Sequence, residues 1–279
     1  MGCVYGLIAL GFVLIYKATE VVNFAQGELM MLGGFAGLTF TTLLGLPYWL
    51  SIVLSVLAMA AMGGLLERVI LRPMLGQSAF SIVMVTIGLG YVSRGVVTMI
   101  PGWGTDTFTL KSPFTGSVVR MGGVVLSGEQ LAVIVMTAVL CAVLYAFFRF
   151  TRVGVAMQAC SQNQLAAYYM GIPVGRINTM IWGISAGVAG FAGILLAPIT
   201  FVHANMGFIG LKAFPAAVLG GFGSVPGAIA GGLIIGLVES FSGFFLPEGF
   251  KDIAAYIVVL AVLVIKPNGL FGERLTKKV

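Results

Sequence analysis

Residues 18–32 read ATEVVNFAQGELMML, with Glu20, Asn23, Gln26 and Glu28 set between two apolar runs and Gly27 as a breaker. Irregular backbone is tolerated at membrane depth only where protein covers it or where it lines a cavity. The stretch therefore reads as a broken or re-entrant passage. The plainer alternative is a cytoplasmic turn followed by a capped helix.

Working outward, the flanks show why a membrane is the right solvent to consider. Of 279 residues, 59% are hydrophobic and only 9% charged, and the mean hydropathy is +1.08. A chain of this composition cannot hide its apolar surface in one soluble core. The net charge of +6 does not point to nucleic acid, because the basic residues are scattered between apolar runs. Cys3, Cys141 and Cys160 show no metal or CxxC spacing and read as small hydrophobes.

A span needs about 20 apolar residues. Candidate runs lie at 2–16, 28–45, 48–70, 79–100, 129–149 and 177–200. Two Gly-rich pieces at 207–222 and 225–245 precede a last run at 252–266. An all-α integral membrane protein of about eight transmembrane helices is expected, with broken or re-entrant segments, forming a single transmembrane domain over 1–279. The first run is short for a span, which suggests a native start upstream of Met1. The loop at 101–128 alternates Thr, Phe, Val and Leu with Gly and Pro breaks, the pattern of a short β-hairpin outside the bilayer.

Lys and Arg set the sides, since short cytoplasmic loops are enriched in them. Lys17, Arg68, Arg72, Arg149, Arg152, Arg176, Lys266, Arg274, Lys277 and Lys278 fall on one side. Lys111, Arg120, Lys212 and Lys251 fall opposite, and Arg94 lies inside a span. This puts the 151–176 loop and the C-terminal tail in the cytoplasm and the 101–128 hairpin outside.

Catalysis has little to work with. The single histidine, His203, stands beside Asn205 with no ligand partner at a recognisable spacing, and no HExxH, GxSxG or GxxxxGK[ST] is present. Transport fits better. Glu28, Arg94 and Glu239 are ionisable residues within or at the ends of spans, where they are costly and usually face a bundle interior or water; structural pairing is the blander account. Small-residue pairs such as Gly183/Gly187, Gly227/Gly231 and Gly232/Gly236 permit close helix approach. The cytoplasmic loop TRVGVAMQACSQNQLAAYYMGIPVGRIN (151–178) holds a helix-favouring run that stops at Gly171 with Pro173 beyond. A helix lying across the cytoplasmic face is expected there, presenting Ala166, Ala167, Tyr168, Tyr169 and Met170 to a partner's groove. The alternative is an amphipathic helix resting on lipid headgroups.

GLIALGFVLIY (6–16), VVNFAQGE (21–28), ERVILRPM (67–74), MQACSQNQLAAYYMGI (157–172), KAFPAAVLGGFGSVPGAIAGG (212–232) and PNGLFG (267–272) together resemble the permease family of branched-chain amino-acid ABC importers. The likeness is to the shorter, H-type permease of the Liv-type systems and covers nearly the whole chain. Leu165 stands where many such coupling loops carry an acid. The resemblance implies a second homologous permease, two ATP-binding subunits and a periplasmic solute-binding protein, in a bacterial inner membrane. It implies no cofactor on this chain, with ATP and magnesium held by the ATPase subunits, and alternating access driven by their closure. Residues assigned to ATPase coupling are Arg152, Gln164, Ala166, Ala167, Gly171 and Arg176; those assigned to the pathway are Asn23, Gln26, Glu28, Arg94 and Glu239. Family members also serve urea, short amides or aromatic acids. From a different class, a secondary ion-coupled carrier would rely on its own intramembrane carboxylates, and a channel would need neither.

Overall fold

The computed structural model describes residues 1–74, 76–104, 106–121, 124–247 and 250–272. Its helices are α1 (Gly2–Thr19), α2 (Gln26–Leu38), α3 (Tyr48–Leu66), α4 (Ala79–Met99), α5 (Gly128–Phe150), α6 (Arg152–Gln162), α7 (Gln164–Tyr169), α8 (Val174–Thr200), α9 (Gly207–Gly220), α10 (Val225–Phe245) and α11 (Phe250–Ile265). A π-helical turn, Thr39–Leu43, continues α2, and another, Glu67–Leu71, continues α3. Between α4 and α5, strand β1 (Val118–Met121) pairs antiparallel with β2 (Val124–Ser127), Val118 facing Ser127.

Six described helices are long and apolar enough to cross a membrane: α1, α3 with its extension to Met74, α4, α5, α8 and α10. Burial sorts them. In α8 and α1, 89% and 72% of the apolar window is buried, against 17% in α5 and 22% in α4. Helices α1, α2 and α8 therefore form the centre. The peripheral α5 turns Val135, Val139 and Val143 outward at four-residue intervals, a stripe suited to lipid.

Glycine sets how closely the central helices pack. A Cβ on Gly33 of α2 would lie 2.2 Å from the Gly190 Cα of α8, and one on Gly232 of α10 would lie 2.2 Å from the Gly6 nitrogen of α1. Without hydrophobic drive between helices in lipid, this backbone contact supplies the dispersion that holds them. Gly33 faces Gly190 and Gly37 faces Ile194, so α2 and α8 run parallel. Gly2 meets Gly236 and Gly6 meets Gly232, so α1 and α10 run antiparallel.

Several expectations need correction. The run at 2–16 is a helix that continues to Thr19. The single helix expected in the 151–176 loop is two, because Asn163 is extended (φ −159°) and its side chain caps α7 by accepting from the Ala166 N–H. Lys212, counted with the outer charges, lies within α9, as its place in the 207–222 run implies. Arg274, Lys277 and Lys278, used to place the tail, lie outside the described residues, as does the side chain of Lys251.

Candidate functional site

The site grows from two interruptions in the helices. Helix α1 stops where Glu20 takes a left-handed φ of 56° and its N–H bonds the Tyr16 carbonyl at 2.7 Å. Residues 20–25 are not helical, yet Val21, Asn23 and Ala25 are buried. Their polar groups are answered from within. The Phe24 N–H donates to Thr86 Oγ1 at 3.2 Å and the Ala25 N–H to Asn23 Oδ1 at 3.1 Å. Asn23 Nδ2 donates to Gln26 Oε1 at 3.3 Å, and Gln26 Nε2 donates to the Ser185 carbonyl of α8 at 3.3 Å. Ser185 Oγ extends the chain to α1 by donating to the Gly11 carbonyl at 2.9 Å. Ser185 lies about 16 Å along α8 from Val174 at 1.5 Å per residue, so Gln26 meets α8 well inside the bundle.

The second interruption separates α8 from α9. Phe201 has φ 64°; with Glu20 it is one of the two described non-glycine residues at positive φ. Val202 exchanges two backbone hydrogen bonds of 2.8 Å with Phe108 from the 101–128 loop. The helices that restart after the two breaks then touch: a Cβ on Gly27 of α2 would lie 2.2 Å from the Gly207 carbonyl oxygen of α9.

Charge is concentrated at this meeting. Glu28 Oε1 pairs with Arg94 Nη2 of α4 at 2.8 Å, with side chains 9% and 19% exposed. The Arg94 guanidinium also covers the Phe208 ring of α9, 4.1 Å from its centroid. Gly207 and Gly90 crowd the carboxylate; a Cβ on either would approach it to 3.1–3.2 Å. One turn along α9 from Phe208, Lys212 Nζ lies 3.9 Å from Glu239 Oε1 of α10, and the Tyr5 hydroxyl of α1 donates to Glu239 Oε2 at 2.6 Å. Ions removed from water are stable only when paired and hydrogen-bonded. Both acids meet that condition, and both pairs abut one face of α9.

The structure thus brings together Asn23, Gln26, Glu28 and Arg94, while Glu239 belongs to a neighbouring cluster. Sequence reasoning missed Tyr5, Thr86, Ser185 and Lys212. Tyr5 is 234 residues from Glu239, and Thr86 is 62 from Phe24, so no local signal could join them. Among the described residues no group of three or more His, Cys, Asp or Glu side chains is placed to hold a metal.

At the far end of the bundle, Gly154 lets α6 fold back on α5, where a Cβ would lie 2.3 Å from the Phe147 carbonyl oxygen. Met157 and Cys160 face inward, and burial pushes the Cys160 thiol pKa up. Gln164 Nε2 donates to the Ala18 carbonyl at the end of α1. Leu165, Tyr168, Tyr169 and Met170 are exposed, Met170 by 83%. Ala166, Arg152 and Arg176 are exposed as well. Ala167 is buried at 4%, contrary to the expected docking face: it packs on the bundle while its neighbours point away. Gly171 adopts φ 82°, and a Cβ there would meet nothing within 4 Å.

A clamp ties this end to the spans. Arg72 donates through Nε and Nη2 to Glu67 at 3.3 and 3.1 Å. Its Nη2 also reaches the Gly175 carbonyl at 2.7 Å and Thr179 Oγ1 at 2.6 Å, both on α8. Thr179 Oγ1 in turn donates to Glu67 Oε2 at 2.7 Å. The ERVILRP stretch thereby locks the end of α3 onto the first turn of α8, where the chain leaves α7.

A family model described as the permease component of branched-chain amino acid transport systems matches residues 1–265. The high-affinity branched-chain amino acid transport system permease protein LivH of Escherichia coli (strain K12) is 30% identical over 293 residues, covering 100% of this chain and 94% of that protein. Its counterpart BraD of Pseudomonas aeruginosa is 31% identical over 291 residues, covering 100% and 95%. A probable LivH from Methanocaldococcus jannaschii is 29% identical over 283 residues, covering 95% and 88%. A buried, internally satisfied break, ion pairs inside a helical bundle and a full-length match of this kind agree, and the chain belongs to the family of branched-chain amino acid transport system permease components.

Proposed function

We propose that this chain is the translocation subunit of an ATP-driven importer for branched-chain or related amino acids, supplied by a periplasmic solute-binding protein and working by alternating access. A second homologous permease and two ATPase subunits complete the assembly, and ATP and magnesium are bound by the ATPases. The single observation carrying this reading is the α7 surface: exposed Leu165, Tyr168, Tyr169 and Met170 ending at Gly171, with Arg152 and Arg176 exposed on either side. Aromatic and aliphatic anchors flanked by cations fit the groove of a partner better than open water does. Arg152, Gln164, Ala166, Gly171 and Arg176 form the coupling set, with Ala167 supporting them from inside.

On this reading the α6–α7 end is cytoplasmic, the β1–β2 pair lies in the periplasm, the C-terminal tail is cytoplasmic, and the membrane is the bacterial inner membrane. Charge asymmetry also puts Met1 on the periplasmic side, opposite the tail, which requires an odd number of passages. Nine apolar helices, α1–α5 and α8–α11, satisfy that parity where eight would not. ATPase closure displaces α7, the Arg72 clamp carries the displacement into α3 and α8, and α8 moves α2 through the Gly33–Gly190 contact. The breaks at 20–25 and 201–206, with Asn23, Gln26, Glu28, Arg94 and Glu239 around them, form the gated passage. A partner shifts such an equilibrium only by gripping one state more tightly.

The deciding experiment reconstitutes this chain with its partner permease, ATPases and binding protein, and measures leucine uptake into vesicles. Uptake that requires ATP and all partners is expected. Uptake by this chain alone, driven by a proton gradient and indifferent to ATP, would overturn the reading in favour of an ion-coupled carrier. Binding of urea, amides or aromatic acids by the solute receptor, in place of leucine, would reassign the substrate and leave the transport class intact.

A further inference from the structure

A cavity of about 620 Å³ lies on the flank of the bundle between α3, α5, α6 and α8, away from the ion pairs. Its walls include Ala60, Ala61, Gly64 and Gly183, with Met157 of α6 at one end and Arg68 beside it. The small residues hollow the wall. From Ala60 to Arg68 it runs about 12 Å along α3 at 1.5 Å per residue. Leu65 and Met180, which also line it, are exposed by 60% and 46%, so the trough opens outward along the apolar flank.

Its charge is one-sided. Arg68 is exposed and has no acidic partner within 4 Å among the described residues, and its neighbour Glu67 is engaged by Arg72 and Thr179. The other lining residues, Phe147 of α5 and Val153 of α6 among them, carry no charge. Arg68 is the one charged residue among those lining this apolar trough, and a single cation beside an apolar channel matches an amphiphile with an anionic head.

We propose that this trough is a binding site for an anionic phospholipid. One acyl chain lies along Ala60, Gly64 and Gly183, and the phosphate sits on Arg68. Basic pockets between spans on the cytoplasmic side bind anionic headgroups through the same combination of charge and apolar burial. The occupied trough touches Met157 of α6 and Thr179 of the clamp. The lipid therefore props the coupling end against α3 and α8; this consequence, unlike the binding itself, rests on the function proposed above.

The test uses the purified full-length chain in nanodiscs of phosphatidylcholine with or without phosphatidylglycerol, followed by native mass spectrometry of the lipids retained after detergent release. One tightly retained phosphatidylglycerol is expected, lost at least tenfold in Arg68→Gln and in Ala61→Leu, which fills the trough from an exposed position. Lys266→Gln, an exposed cation away from the trough, serves as control and should retain the lipid. Equal loss in Lys266→Gln would show diffuse attraction only and overturn the site. Equal retention of phosphatidylcholine, unchanged retention in both trough variants, or crosslinking of an Ala61→Cys thiol to the partner permease would overturn it as well. Should binding hold while ATP-driven uptake proves indifferent to phosphatidylglycerol, the site stands and the propping role falls.

Discussion

Replacing Arg94 with Met tests whether the Glu28–Arg94 pair holds the meeting point of the two breaks. Methionine keeps an apolar stem over the Phe208 ring but removes the guanidinium 2.8 Å from Glu28. The Glu28 side chain is 9% exposed, so little water replaces the lost partner, and a buried charge stripped of its partner costs about 3–5 kcal/mol. For a chain of this size that corresponds to a fall of roughly 6–20 °C in apparent Tm. The double variant Glu28→Gln/Arg94→Met removes both charges and should recover at least half of the loss, because the pair itself contributes little beyond mutual neutralisation. Fluorescence-monitored melting of the reconstituted chain gives all three values. A single-variant shift below about 2 °C, or a double variant as unstable as the sum of the singles, would refute the argument. Uptake by the recovered double variant then separates roles: lost transport in a stable protein assigns the pair to the passage, and retained transport makes it a structural tie.

Gly171→Trp places an L side chain at φ 82°, a strain of about 1–2 kcal/mol, in space where nothing lies within 4 Å. The protein should elute as a folded complex that hydrolyses ATP without uptake; normal uptake would remove α7 from the coupling path. Thr179→Val keeps the shape of the clamp but leaves Glu67 and Arg72 without their shared hydroxyl, costing about 1–3 kcal/mol. A several-fold fall in solute moved per ATP is expected, and an unchanged ratio would assign the clamp to stability alone. Cys160, whose thiol pKa is raised by burial, should react with maleimide slowly in the folded protein. Its rate should climb only at a pH above that at which the unfolded chain reacts, because the thiolate is the nucleophile; identical pH profiles would show the α6 face to be open.

The spans were legible because the property that makes them, an unbroken apolar run, is local. Glu20, Asn23, Gln26 and Glu28 betrayed the first break in the same way. The matching break at 201–206 gave no such sign: Phe201 is a bulky residue at φ 64°, where sequence preference alone would not place it, and it is held there by the Val202–Phe108 pairing from a distant loop. The role of Lys212 was hidden for a related reason, since its partner Glu239 stands on another helix. Ala167 could not be oriented, because a helix of six residues is too short to display a period. Apart from Ala167 and the local break at Asn163, the missed features depend on partners far along the chain. The two breaks also share a physical logic. A helix end buried inside a bundle leaves backbone groups that must be satisfied, and here Thr86 and Asn23 do so with one hydrogen bond each and Phe108 with a pair. The glycine seams of α1 with α10 and of α2 with α8 hold these helices in backbone contact. In the proposed cycle the motion falls on the two breaks, and the Glu28–Arg94 pair sits beside them, where a change in helix spacing alters what it touches.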